Sequence, residues 1–495
     1  MKALLRSVLP AACAALVTAA PLAAAAQTAT APSTAAAQPA PATVVPAAPE
    51  PAQFDLGAAL REGGAPLSPD EAARQAVANS PNAELARAAT EQARASAAEA
   101  FVAVYPRLDL EASYTRLSDH APRDFGSFEL VSVDEDGNTV TTTGTASSSN
   151  AIDDVMLLSA KLTYPVSDLF FTVLPRYQAS NKLAELQKVR ETAQDQTVGL
   201  QAKQAYYEYA RARALLLIAQ SALAQTQAQL HDVEALVRGG ALARVEQMRA
   251  QAQVAAARVA VARAQGSAAV NLTALRSLMH AKGDEAFAVT EDLTAALPPL
   301  ARSKGELLTT ALANRSELRA LRGMTYVHDK AISAEQGGKL PKLSLQGVYD
   351  FANPNQRVAP IEEKFISSWQ VSAILSWSPN DFAVSDARAD RARAERLTSE
   401  GDLRALEDAL VTEVSQAYED FVAAQEAQSQ ALSGIAAAEE TYRVRREQFR
   451  AGSVVATEVI QAETELRKAR LELVSAAIDA RIASARIDRA IEAKR

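Results

Sequence analysis

Very few residues in this sequence could carry chemistry. The four histidines, His120, His231, His280 and His328, lie far apart, with no spacing that would gather them round a metal ion. No serine or threonine has a recognisable histidine partner or a glycine-rich elbow. Gly239-Gly240 and Gly337-Gly338 are not followed by the Lys-Ser/Thr of a phosphate loop, and read better as helix ends. Asp134-Glu135-Asp136-Gly137-Asn138 carries half of a calcium-loop pattern but lacks the distal bidentate glutamate. Its flanks, Glu129 to Val133 and Thr139 to Thr142, read as a hairpin closed by a glycine turn, so the plainer reading is an acidic surface loop. We expect no catalytic residue, no metal ligand and no cofactor.

The elements around these residues point away from an ordinary globule. The 495-residue chain is 48% hydrophobic but only 5% aromatic, and alanine runs through it. Alanine has the best helix propensity and little bulk, which suits long helices packed closely. Lys2 and Arg6 followed by an apolar run ending at Ala24-Ala25-Ala26 read as a secretory signal over residues 1–26. The only cysteine, Cys13, lies inside it, so the mature chain has no thiol or disulfide chemistry. Pro10 and the short apolar stretch before Cys13 argue against lipidation there. Losing Lys2 and Arg6 moves the net charge from -8 to -10, which gives no support for nucleic-acid binding. Residues 27–65 are read as an Ala/Pro-rich tether. No later stretch is long and apolar enough for a transmembrane helix.

From about residue 66 the chain reads as two copies of one plan, 66–280 and 304–492, joined by a linker over 281–303. Each copy has a helix ending in a proline turn, Tyr105-Pro106-Arg107-Leu108 and Leu340-Pro341-Lys342-Leu343. Alternating segments follow, then a very long helix, a glycine tip and a second long helix. The tip glycines Gly240 and Gly452 are 212 residues apart, and Tyr164 and Trp377 are 213 apart. Pro106 and Pro341 are 235 apart, so a longer loop between Leu117 and Ile152 absorbs the difference. The long helices are expected over 175–238, 241–279, 386–450 and 457–491, paired as hairpins that turn at 238–244 and 450–456. Gly239, Gly240, Gly452 and Ser453 stand at those turns. Small residues on several faces of the helices argue for neighbours on two sides, as in a palisade.

Four segments alternate with period two, about 107–117, 154–165, 341–351 and 366–378. Leu108, Leu110, Ala112 and Tyr114 oppose Asp109, Glu111, Ser113 and Thr115, and the other three segments repeat the pattern. Each run suits a tilted membrane strand with lipid outside and a polar lumen within. Tyr164 and Trp377 fall at one end of matched strands, where an aromatic girdle is expected. Four strands cannot close a barrel, and open edges in lipid leave backbone groups unpaired. Three copies would supply twelve strands and leave a passage, whereas two copies would supply eight, which side chains tend to fill.

In this order, given twice, the sequence resembles the TolC family of outer-membrane efflux proteins over about residues 66–492. The resemblance rests on Ser80-Pro81-Asn82, the Tyr105-Pro106 turn, Ala205-Tyr206-Tyr207 and the Gly240 tip in the first copy. In the second it rests on Arg315-Ser316-Glu317-Leu318, the Leu340-Pro341 turn, Ala417-Tyr418 and Phe449-Arg450-Ala451-Gly452-Ser453, with Glu458-Val459-Ile460-Gln461-Ala462 beyond. It implies a mainly α fold with a small β part: a homotrimer with a 12-stranded barrel in the outer membrane and a helical tunnel across the periplasm. It also implies tips that meet a periplasmic adaptor bound to an inner-membrane pump or ABC transporter, for efflux or type I secretion. The family places an acid six residues after the tip glycine, here Glu246 and Glu458. With Gln461 these would line the pore entrance as a carboxylate ring, with cation preference. Some members lock the tunnel with an arginine and a tyrosine where this chain has Val454 and Phe449, which leaves room for an apolar constriction instead. The competing reading is a soluble periplasmic coiled-coil scaffold without channel activity; an outer-membrane enzyme has no residue set to support it.

Overall fold

The computed structural model describes residues 55–118, 124–133, 135–147, 152–283, 286–293, 295–359 and 361–492. The expected signal, residues 27–54 of the tether, Cys13, His120 and Asp134 lie outside them. In chain order the elements are α1 (Leu56–Arg61), β1 (Ala65–Leu67), α2 (Pro69–Asn79), α3 (Pro81–Val102) and β2 (Arg107–Arg116). A hairpin follows, β3 (Asp124–Val133) and β4 (Thr139–Ser147), and then β5 (Asp154–Pro165). One turn of helix, α4 (Val166–Asp168), and a π-helical turn (Leu169–Val173) lead into α5 (Leu174–Arg238) and α6 (Arg244–Met279). The second half holds β6 (Phe287–Val289), α7 (Lys304–Asn314), α8 (Ser316–Gly337), β7 (Lys342–Asn353), β8 (Ile366–Ser376), α9 (Pro379–Arg450) and α10 (Ala456–Ala490).

Helix starts follow local capping chemistry. Ser68 accepts from the Glu71 N–H at 3.1 Å with Pro69 in the first turn, as its sequence suggests. Ser303 and Glu306 close a reciprocal capping box at α7. α5 has 65 residues and α9 has 72. At 1.5 Å per residue they are rods of about 98 and 108 Å. Two tiers of helices share these rods. Next to the sheet, α3, α5, α8 and α9 pack side by side; towards the tips, α6 packs on α5, α5 on α10 and α10 on α9.

Shorter helices thus stack end to end beside each long one, and their exposed end groups need partners. Asn79 of α2 donates to the Met279 carbonyl that ends α6, at 3.2 Å. Where α10 meets α8, Ser316 donates from its N–H and its hydroxyl to the Glu492 carboxylate, at 2.6 and 2.7 Å. Arg489 reaches across to Glu317 at 2.5 Å. Burial pushes the Glu317 carboxyl up, but the Arg489 and Arg315 charges outweigh it and hold the group below its ordinary range. Arg481, only 3% exposed, donates to Glu291 and to the Asp292 and Ala295 carbonyls. Buried charges at this junction are therefore paired, as burial requires.

Three sequence expectations need correction here. The tether was expected to reach residue 65, but α1 lies inside that span, capped by Asp55 and with Leu60 buried against the junction core. The linker at 281–303 holds β6, which pairs in parallel with β1 through Ala65–Leu67 and Phe287–Val289. Strands this short carry no readable periodicity. α9 starts at Pro379, not near 386, because a proline is at home in a first turn.

Candidate functional site

The two tips are built alike. α5 ends in a left-handed glycine, Gly240 at φ +74°, and α9 in Gly452 at φ +73°. The next residue closes the turn by donating backwards, Ala241 N–H to the Leu236 carbonyl and Ser453 N–H to the Gln448 carbonyl, each at 2.9 Å. This is the Schellman arrangement, which needs a residue that tolerates positive φ. The Ser453 hydroxyl adds a second bond to the Gln448 carbonyl at 2.9 Å. α6 and α10 restart at Arg244 and Ala456, so the 212-residue register holds through both turns.

A small apolar core joins the tips. Val233, Ala250, Phe449, Ala456 and Val459 are buried together, with Leu242, Tyr442 and Val454 packed against them. Arg450 of α9 reaches Asp232 of α5 at 3.5 Å. Glu246 is paired with Arg249 one turn along its own helix at 2.9 Å, and Glu458 with Arg445 of α9 at 2.8 Å. Gln461 donates to Glu465 at 3.1 Å.

At the opposite end, β2, β5, β7 and β8 form one antiparallel sheet in that order. The register aligns the apolar residues of every strand. Leu110 faces Ala160, which faces Tyr349, which faces Trp369; Leu343 pairs with Leu375. One face is therefore continuously apolar, and within one chain it is bare: Leu110 is 76% exposed, Trp369 73% and Leu375 70%. The other face carries Glu111, Lys161, Ser159 and Asp350, with Ser159 donating to Asp350 at 2.7 Å. Among the described residues no second sheet covers the apolar face. β3 and β4 pack on each other, and β1 and β6 belong to the helical junction. A soluble sandwich would have buried it. Among the described residues β2 and β8 each keep one edge unpaired.

The sequence pattern of outer membrane efflux proteins matches residues 72–280 and again 307–492. The chain belongs to the outer membrane efflux protein family. Solved structures share the fold of this efflux protein at low identity. CusC, whose crystal structures concern folding and transmembrane channel formation, is 18% identical with a TM-score of 0.69, over 91% of this chain and 98% of that one. The outer-membrane channel OprN is 17% identical with a TM-score of 0.67, over 90% and 98%. The outer-membrane channel CmeC of Campylobacter jejuni is 15% identical with a TM-score of 0.68, over 86% and 85%. No curated protein sequence matches the chain. Family and fold are those of channel proteins, not of enzymes.

Within the efflux protein, the residues singled out from sequence fall into two groups. Gly239, Gly240, Gly452, Ser453, Glu246, Glu458 and Gln461 all sit at the tips; Tyr164 lies on the apolar face at the helix-proximal end of the sheet, and Trp377 stands just past the end of β8 on that side. Among the described residues no bond joins Glu246 to Glu458. Phe449 is buried in the tip core, 5% exposed, so in this arrangement it forms no constriction. Two features escaped the sequence reading. A cross-strand aromatic pair, Tyr349 and Trp369, sits level in register with Leu110 on the same face, and Tyr114 lies four residues further from the helices; the alternation contained these residues, but only the register shows their pairing. The other is Glu463, buried on α10. It shares a helical face with Val459, Ala462 and Leu466, a core spacing that marks it as an acid in an apolar stripe.

Proposed function

We propose that this efflux protein is one protomer of a homotrimeric outer-membrane export duct. Three four-stranded sheets would close a twelve-stranded barrel, and the helical hairpins would extend it across the periplasm. The duct is passive. A periplasmic adaptor would grip the tips around Gly239, Gly240, Gly452 and Ser453, and an inner-membrane pump or ABC transporter would supply the energy. Glu246, Glu458 and Gln461 would line the entrance. The observation that carries this reading is the bare apolar face with an unpaired strand edge on either side. Lipid can cover such a face, and only further copies of the same sheet can pair both edges.

The test is fractionation followed by reconstitution. Outer-membrane detergent extracts are expected to hold a trimer that collapses to monomer on heating, and planar bilayers with the purified trimer are expected to conduct. A soluble monomer in the periplasm would instead select the coiled-coil scaffold and overturn the duct.

A further inference from the structure

Among the described residues, Glu463 is the one acid buried in the apolar face of α10. It lies about two helical turns above the α10 start and is 8% exposed. Among the described residues it makes no hydrogen bond or ion pair. α5 and α9 both pack on α10, and the tip core brings Val233 of α5 and Phe449 of α9 to Val459, one turn below Glu463. From α9, Tyr442 faces it, with Arg446 and Arg450 close to the phenol. Glu439 of α9 is held by Arg470 of α10 at 3.1 Å, and Asp232 of α5 is held by Arg450 at 3.5 Å. On its own helix Arg467 is one turn away and favours the charged form from an exposed position. The neighbouring acids Glu439 and Asp232 are thus engaged elsewhere, Arg467 reaches water, and the carboxyl lies between the apolar face of α10 and the Tyr442 phenol without a bonded cation.

We propose that Glu463 is a proton-operated latch between the α9–α10 hairpin and α5: protonated, it packs as a neutral core residue, and ionised, it loosens the tip. This deepens the duct reading and rests on it for the functional consequence. An unpaired carboxylate cannot stay dry, so the charged form draws water into the contact or pushes the helices apart. Burial pushes its pKa up to about 7, with Arg467 opposing. The sign follows. The folded tip holds this proton more tightly than an unfolded chain, so the packing it favours is complete in acid and is lost as pH rises through about 7.

The test uses the full trimer with spin labels at Ala241→Cys and Val455→Cys, both at exposed tip positions; the only native cysteine, Cys13, is in the expected signal. Inter-tip distances are measured at pH 5.5 to 8.5 in otherwise unaltered protein, in Glu463→Gln and in Arg467→Ala. The unaltered protein is expected to move from a narrow to a broad distribution, the broad fraction rising about tenfold with a midpoint near neutrality. Glu463→Gln should stay narrow throughout, and Arg467→Ala should shift the midpoint to higher pH. A flat response in unaltered protein, or an undiminished one in Glu463→Gln, would overturn the latch. Channel conductance, recorded in parallel, separates the two readings: a silent trimer whose tips still respond to pH removes the duct and leaves the latch.

Discussion

Each tip turn rests on one glycine. Gly240 and Gly452 are left-handed, while Gly239 sits at φ -75° in ordinary helical space. An added Cβ at Gly240 or Gly452 would meet nothing within 4 Å, so the cost of alanine is backbone strain alone. That strain is about 1–2 kcal/mol. Gly240→Ala and Gly452→Ala are expected to destabilise their tips by that amount in amide exchange, and Gly239→Ala by almost nothing; equal effects at 239 and 240 would refute the assignment. The acids proposed to line the entrance lead to a second expectation. Glu458 shares its charge with Arg445 across a half-exposed contact, worth under about 1 kcal/mol, so the pair matters for local potential more than for stability. In bilayers, Glu458→Ala should lower cation selectivity and Arg445→Ala should raise it, with little change in thermal stability. Shifts of the same sign in both variants would take Glu458 out of the entrance.

Among the elements, α8 is held between α5, α9 and the π-helical turn below the sheet. It approaches its neighbours through two glycines of different kinds. A Cβ at Gly323 would press on the movable methyl end of Leu186, whereas one at Gly337 would overlap the Phe171 backbone carbonyl. Side chains rotate away and backbone does not. Gly337→Ala is therefore expected to lower the melting temperature of the protein well below that of Gly323→Ala, and the reverse order would mean that the π-helical turn yields. The sequence announced α8 only as a helix that closes a glycine doublet, because close approach across elements leaves no mark in local periodicity. The long hairpins and four membrane-type strands were legible because each repeats one period over many residues, and the duplication repeats the whole plan. The β1–β6 pair was not legible, being three residues a side and specified by the junction core around Leu67 and Val289. Glu463 was passed over for a related reason: one acid in an alanine-rich helix reads as a solvated face until α5 and α9 are seen to pack on it.

At the scale of the whole molecule, the apolar face has an axis and two ends. Tyr164 and Trp377 lie towards the end next to the helices; Tyr349 and Trp369 pair further out, level in register with Leu110, and Tyr114 lies four residues beyond them. Trp369 lies in β8 and Trp377 just past its end, eight residues on and in phase with the strand's alternation, about 27 Å along the chain at 3.4 Å per residue. In the proposed barrel, with a tilt near 40°, that distance would become roughly 20 Å along the membrane normal, which fits inside an outer-membrane apolar band of about 25 Å. These are the only two tryptophans in the chain, so each can be isolated by replacing the other with phenylalanine. In liposomes, both single-tryptophan proteins should be quenched strongly by lipids brominated near the headgroup and weakly by lipids brominated at the acyl-chain ends. The Trp377 indole N–H already donates to the Lys339 carbonyl at 3.3 Å, so its polar edge is tied to the turn beneath the sheet and its emission should be the less sensitive to lipid composition. A scaffold whose sheet is covered by protein would show neither signal, whatever its oligomeric state. Strong quenching of one tryptophan by mid-bilayer bromine would mean that the sheet sits at a different depth from the one its aromatic ends define.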